Sequence, residues 1–297
     1  MFYLSRIVLV TALIHPLLGW AVDLQPNDIL PPLPDRTVGM VSYSNTENTN
    51  FYKNGSASTI GPYANPVIGN VNAIARLSRT YTIGDVPGLS FIQAPYGTIT
   101  PSGSLATNPS SSGVGDTSLA TAIWPYVNHD TRTYLAVAAY LILPTGTYNS
   151  SQVFNLGNNR YSSDLQIGFH KRITQNLDGM IAIDSQWFGG NAQCAAACGS
   201  TTNTSLTQKP VITTQLGPIY KINQTFTVGA SYFYVTGGAT EINNVYQNNV
   251  VNTQRFLLSA LAYTDIGRFS LQYGRDIDVQ NGFIQNRLLA IRYLKAF

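Results

Sequence analysis

From residue 37 onward, apolar and polar side chains alternate in short runs rather than recurring every third or fourth position. In the run 177–187, one face carries Leu177, Gly179, Ile181, Ile183, Ser185 and Trp187. The other carries Asp178, Met180, Ala182, Asp184 and Gln186. In 159–171, Tyr161, Leu165, Ile167 and Phe169 oppose Ser162, Asp164, Gln166, Gly168 and His170. In 268–275, Phe269, Leu271 and Tyr273 oppose Arg268, Ser270, Gln272 and Gly274. Successive side chains of a strand point to opposite faces, so a period of two predicts strands with one apolar and one polar face. Twelve segments are expected: 37–47, 67–79, 89–97, 115–126, 133–143, 159–171, 177–187, 207–220, 224–235, 253–263, 268–275 and 286–296. The third is the weakest of them. Most approach the roughly 9–11 residues that a tilted strand needs to cross a bilayer.

A soluble β-sandwich would share this period, but two features favour a membrane barrel. Connections two, four, six, eight and ten are short or moderate, around Gly84-Asp85, Asn128-His129-Asp130, Gln175-Asn176, Asn223 and Asp265-Ile266-Gly267. The odd-numbered connections are mostly longer and include 48–66, 98–114, 144–158, 188–206 and 236–252. Alternation of periplasmic turns with long extracellular loops is the habit of outer-membrane barrels. The chain also ends on Phe297, with Tyr293, Ile291 and Leu289 on its face and Arg292 and Ala290 opposite. Such an end is the expected assembly signal for the outer-membrane barrel machinery. Backbone groups cannot stay unpaired in hydrocarbon, so the sheet is expected to close. The reading is therefore all-β: a single closed antiparallel transmembrane β-barrel of about twelve strands. Its wall would meet outer-membrane lipids and lipopolysaccharide. Tyr43, Tyr81, Trp124, Tyr126, Trp187, Tyr220 and Tyr263 fall near strand ends, where interfacial girdles are expected.

Residues 1–21 read as a cleaved signal peptide: Arg6, then an apolar stretch from Ile7 to Leu18, then Gly19-Trp20-Ala21. The stretch is short for a membrane-spanning helix. Residues 22–36 hold Pro26, Pro31, Pro32 and Pro34 and read as an extended periplasmic arm. The barrel would occupy 37–297. Only 10% of the chain is charged, with 17 Lys plus Arg against 14 Asp plus Glu. That balance gives no electrostatic case for nucleic acid as a partner.

Chemistry-bearing residues are sparse. His129 sits in a turn, and His170 shares a face with Ser162 and Asp164, but Ser162 is eight residues away along the strand. At about 3.4 Å per residue that spacing is far outside hydrogen-bond reach. No catalytic residue, metal ligand set or cofactor motif is assigned. Cys194 and Cys198 sit in one long loop of an exported chain and are expected to form a local disulfide. Alternation places Arg76, Arg160, Asp164, Asp178, Asp184, Arg255, Arg268, Asp276 and Arg292 on the lumen side. There they either pair across the barrel or line a water-filled path.

The Pro-rich arm and first strand, Ser112-Gly113-Val114-Gly115-Asp116-Thr117, Thr133-Tyr134-Leu135-Ala136-Val137, Leu143-Pro144-Thr145-Gly146-Thr147-Tyr148 and Asn155-Leu156-Gly157-Asn158-Asn159-Arg160-Tyr161 also carry a resemblance. It continues through Val251-Asn252-Thr253-Gln254-Arg255, Leu271-Gln272-Tyr273-Gly274-Arg275-Asp276, Asn281-Gly282-Phe283 and Asn286-Arg287-Leu288. In this order the segments resemble the outer-membrane, transporter-like family tied to the MetA (meta-cleavage) pathway of phenol degradation in Gram-negative bacteria. The resemblance implies a barrel that passes aromatic or other hydrophobic compounds. The Cys194–Cys198 loop departs from the family's common pattern. The expected function is a passive outer-membrane channel for small hydrophobic or aromatic solutes, with Tyr148, Phe154 and Tyr246 as an apolar patch at its mouth. The alternative is a structural or adhesive barrel with an occluded lumen and no transport.

Overall fold

The computed structural model describes residues 23–297; the signal peptide expected over 1–21 lies outside the described residues. Twelve strands follow one another around a closed antiparallel barrel. They are β1 (Thr37–Lys53), β2 (Pro66–Ile83), β3 (Val86–Gly103), β4 (Thr117–Asn128), β5 (Thr133–Leu143) and β6 (Ser162–Arg172). The second half is β7 (Leu177–Phe188), β8 (Val211–Lys221), β9 (Phe226–Gly237), β10 (Val251–Thr264), β11 (Gly267–Val279) and β12 (Gly282–Ala296). Each strand pairs with its sequence neighbours, and β12 pairs with β1 from Val38–Ala296 to Tyr52–Gly282, which closes the wall. No edge strand is left in the barrel, as a spanning sheet requires.

The alternation sorts as the period predicts. Leu165, Ile167, Phe169, Ile181, Ile183, Leu216, Leu258, Leu271 and Ile291 are exposed on the outer face. Ser78, Gln93, Ser118, Gln166, Gln215, Ser270 and Gln272 are buried on the inner face. An apolar exterior around a polar interior is the inverse of a soluble barrel and matches hydrocarbon outside. Tyr126, Trp187 and Tyr220 are exposed near strand ends, and Tyr43 is exposed within β1. Trp124 is not exposed: it follows Ser118, Ala120 and Ala122 on the inner face, and the register shift between Ile123 and Tyr126 leaves both Pro125 and Tyr126 outward.

Several strands outrun their expected limits at the loop end, where no hydrocarbon constrains them. β1 continues from Glu47 to Lys53, and the weak third segment becomes β3, 18 residues long. Pro95 interrupts its pattern, yet the ladder to β4 stops at Gln93–Ser118, so the missing N–H costs no barrel hydrogen bond. Thr207 leaves the eighth segment. It joins a separate four-stranded sheet made by Asn191–Cys194, Thr204–Gln208, Thr240–Ile242 and Val245–Tyr246 outside the barrel. The eleventh connection, expected among the longer ones, is the two-residue turn 280–281. The β11–β12 ladder itself ends at Gly274–Leu288. Beyond that point the Asp276 side chain takes over, accepting the Gln285 N–H at 2.6 Å.

Candidate functional site: a lumen filled from both ends

The Pro-rich arm does not extend away from the barrel. Residues 26–30 form a compact turn inside the half of the lumen nearest the short connections. The turn is local chemistry. Asp28 N–H bonds Gln25 O at 3.0 Å, Asp28 Oδ2 accepts the Gln25 N–H at 3.0 Å, and Asn27 takes a left-handed φ of 70°. Asn and Asp tolerate such geometry because their side chains can close the turn themselves.

The wall then receives the arm group by group. The Gln215 carboxamide accepts Leu24 N–H at 3.1 Å and donates to Leu24 O at 2.7 Å. Gln25 donates to Gln272 at 2.6 Å and accepts from Ser270 at 2.9 Å. Trp124 Nε1, on the inner face, donates to Ile29 O at 2.7 Å. Asp23 pairs with Arg255, and Asp28 pairs with both Arg268 (2.8 Å) and Arg292 (3.2 Å). Ile29 packs against Met180 and Ile219. Two glycines make the space. A Cβ on Gly229 would lie 2.5 Å from Pro26 Cγ, and one on Gly168 would lie 3.0 Å from Ile29 Cδ1. Alternation alone does not mark these two glycines as contacts for a distant arm.

The opposite end is filled differently. The connection 144–161 folds inward, so Phe154 and Leu156 are buried against Ile68 and Ile99 of the inner wall and Leu105. Asp116 ties the connection down: it accepts Gly146 N–H at 2.9 Å, Asn158 N–H at 2.8 Å and Asn158 Nδ2 at 3.1 Å. Burial raises the Asp116 carboxyl pKa above its ordinary value, although those Asn158 and Gly146 donors pull it down. Gly146 and Gly157 touch, and a Cβ on Gly157 would sit 2.7 Å from the Gly146 carbonyl carbon.

The charged residues singled out in the sequence take separate places in the lumen and its loops. Arg255, Arg268 and Arg292 hold the arm. Arg76 donates to Gln93 Oε1 at 2.9 Å and lies over the Phe91 ring. Asp164 lies beside Asp184 on neighbouring strands, and Asp276 holds β12 as described. Asp178 is nearer the turn end, bound by Arg132 at 2.7 Å and by His170 Nε2 at 3.1 Å. His170 Nε2 bonds Asp178, and no serine among the described residues bonds His170. Arg160 lies in the loop above β6 and donates to Gln208.

Tyr148, Phe154 and Tyr246 do not form one patch. Phe154 is in the buried cluster, Tyr148 OH donates to Gln193 O at 3.0 Å, and Tyr246 is exposed on the outer sheet opposite Glu241. Cys194 and Cys198 are disulfide-bonded and pack with Leu206 and Ile242 as the core of that sheet. Phe297 N–H bonds Thr37 O at 2.8 Å, and its ring is exposed. No group of three or more His, Cys, Asp or Glu among the described residues is placed to hold a metal ion.

Between the arm and the wall a cavity of about 310 Å³ remains. Its lining combines apolar Leu89, Phe91, Trp124 and Ala138 with charged Arg76, Asp28, Arg268 and Arg292, and Arg76 meets Phe91 where the two sets join.

Comparison with known proteins agrees with this architecture. The family described as "Putative MetA-pathway of phenol degradation" matches residues 49–293, and the chain belongs to it. The crystal structure of an outer-membrane channel from Pseudomonas putida F1 superposes with a TM-score of 0.86 at 25% identity, covering 93% of this chain and 100% of that one. The β domain of the Bordetella autotransporter BrkA gives 0.49 at 10% identity, covering 88% of this chain and 100% of that one. A Pseudomonas aeruginosa FadL homologue gives 0.43 at 10% identity, with 88% and 89% covered. No curated protein matches the chain. The protein is an outer-membrane β-barrel that resembles an outer-membrane channel.

Proposed function

We propose that this member of the phenol-degradation barrel family is a passive outer-membrane channel for small hydrophobic or aromatic solutes. The observation that carries the reading is the cavity beside the arm. Its volume of about 310 Å³ is at the lower limit of small-molecule sites, and Phe91 and Trp124 give it an apolar flank. A purely hydrophilic pore would offer an aromatic ring nothing in exchange for its contacts with membrane or solvent. Here the ring meets apolar surface while its polar substituent faces guanidinium and amide groups. The family and the resemblance to a P. putida channel support the same reading.

The test is efflux of a radiolabelled monocyclic aromatic from proteoliposomes, run beside ion conductance in planar bilayers. A channel gives protein-dependent efflux above that of empty vesicles. The rival is a structural or adhesive barrel, favoured by the filling of the lumen by the arm and by 144–161. It predicts neither efflux nor current.

A further inference from the structure

We propose that the cavity between the arm and the wall binds a small carboxylate carrying a single ring, held through Arg76. The proposal rests on the channel reading and names the kind of solute for which the lumen is built.

The local charge inventory does not balance. Asp23 and Asp28 face four guanidiniums: Arg255 on Asp23, and Arg268, Arg292 and Arg76 around Asp28. Asp28 already accepts from Arg268 and Arg292, one through each oxygen. Arg76 has no carboxylate at ion-pairing distance among the described residues. Its Nε is engaged by Gln93, and its Cζ lies 4.1 Å from the centroid of the Phe91 ring. Asp164 and Asp184 do not fill the vacancy, because they stand beside each other on β6 and β7, with Gln166 bonded by Tyr140 on that side. The Nε groups of Arg268 and Arg292 are buried without an acceptor as well. Among the groups lining the cavity, these two unpaired Nε donors outnumber the one buried acceptor left unpaired, Asn27 Oδ1. A guanidinium tied by its Nε and held over an aromatic ring is prearranged to present its remaining N–H groups to a carboxylate.

The apolar lining determines what the carboxylate is attached to. Leu89, Phe91, Ala122, Trp124, Ala136 and Ala138 present apolar surface from three successive strands. A bare inorganic anion would leave that surface in contact with water, and an uncharged ring would leave Arg76 without an acceptor. A ring carrying one carboxylate satisfies both.

The test is calorimetric titration of the folded protein in detergent with benzoate, benzyl alcohol and acetate, with empty micelles as the blank. Benzoate is expected to bind about tenfold or more tightly than either comparator, as one charge-assisted contact implies. Arg76→Gln should remove the preference for benzoate over benzyl alcohol, and Phe91→Ala should weaken both ring ligands. Circular dichroism and heat-modified gel mobility establish that each variant is folded. Equal affinity for benzoate and benzyl alcohol, or an Arg76→Gln preference like the wild type's, would overturn the site. Failure of all three ligands to bind, with aromatic efflux from proteoliposomes intact, would overturn the site and leave the channel. Benzoate binding that Arg76→Gln abolishes, without efflux of any solute, would support the site and overturn the channel.

Discussion

The two inserts in this lumen are held by opposite kinds of chemistry. The arm at the turn end meets a polar wall and is attached through Gln215, Gln272, Ser270, Trp124 and three arginines. The connection 144–161 at the loop end is anchored by Phe154 and Leu156 in an apolar cluster, with hydrogen bonds around Asp116. Apart from the Met180 and Ile219 surface that buries Ile29, water can replace the partners of the arm, so its release mostly exchanges one set of hydrogen bonds for another at a small net cost. Water cannot replace what surrounds Phe154. The arm is therefore the displaceable element, and the loop is part of the wall.

The largest expected effect comes from removing the arm outright. Deleting residues 23–33 should raise single-channel conductance several-fold, because the turn and its side chains occupy the lumen cross-section where Gly168 and Gly229 admit them. Planar-bilayer recording checks this, and an unchanged conductance would return the occlusion to the loop. Next in size, Phe154→Ala should destabilise the loop-end packing by about 3–5 kcal/mol, the usual cost of emptying a buried aromatic site. Asp28→Asn removes charge from two arginine contacts and should cost less, roughly 1.5–3 kcal/mol of arm docking. Urea unfolding in lipid vesicles, read beside protease access to the arm, separates the two. Salt should alter the contrast little: the pairs of Asp23 and Asp28 are largely buried, so high ionic strength should loosen the arm only slightly and leave the Phe154 cluster in place.

A smaller effect comes from the glycines. Gly229→Ala brings a methyl group to 2.5 Å from Pro26 Cγ, so the arm must shift and conductance should rise, though less than on deletion. Gly168→Ala meets only the tip of Ile29, at 3.0 Å, and should do less again. Conductance histograms of the two variants test the order. A Gly229→Ala trace identical to the wild type's would mean that Pro26 does not bear on the wall there.

The contrast also explains what could be read in the sequence. The barrel was legible because hydrocarbon on one side and water on the other impose period two on each strand. Leu165, Ile167 and Phe169 against Asp164, Gln166 and His170 are enough to orient β6. The inward placement of Arg255, Arg268 and Arg292 follows from the same period, but their partners do not. Asp23 and Asp28 lie 232 to 264 positions away, in a proline-rich segment that reads as an extended periplasmic arm. Prolines fix φ without saying where a segment docks. Trp124 misleads for a related reason: an aromatic near a strand end suggests a girdle, yet its spacing from Ser118, Ala120 and Ala122 puts it on the inner face, where the arm supplies its acceptor. The mouth residues scattered because periodicity ends where loops begin.

The smallest expected effect lies outside both inserts, at Cys194 and Cys198. Their bond closes a segment of sequence separation 4 and packs with Leu206 and Ile242 under the outer sheet. A loop that short restricts the unfolded chain by about 2 kcal/mol at most on the chain-entropy account, and the restriction acts locally. The twelve barrel strands take no hydrogen bond from it. Reduction should add the mass of two hydrogens to the intact chain and accelerate amide exchange in Thr204–Gln208, whose Leu206 packs on the pair. Barrel melting and arm docking should stay as they were. If reduction instead changed conductance, the outer sheet would be coupled to the lumen through Tyr148, whose hydroxyl bonds Gln193 O beside Cys194. The loop end would then be a moving part as well, and the division between a displaceable arm and a fixed loop would fail.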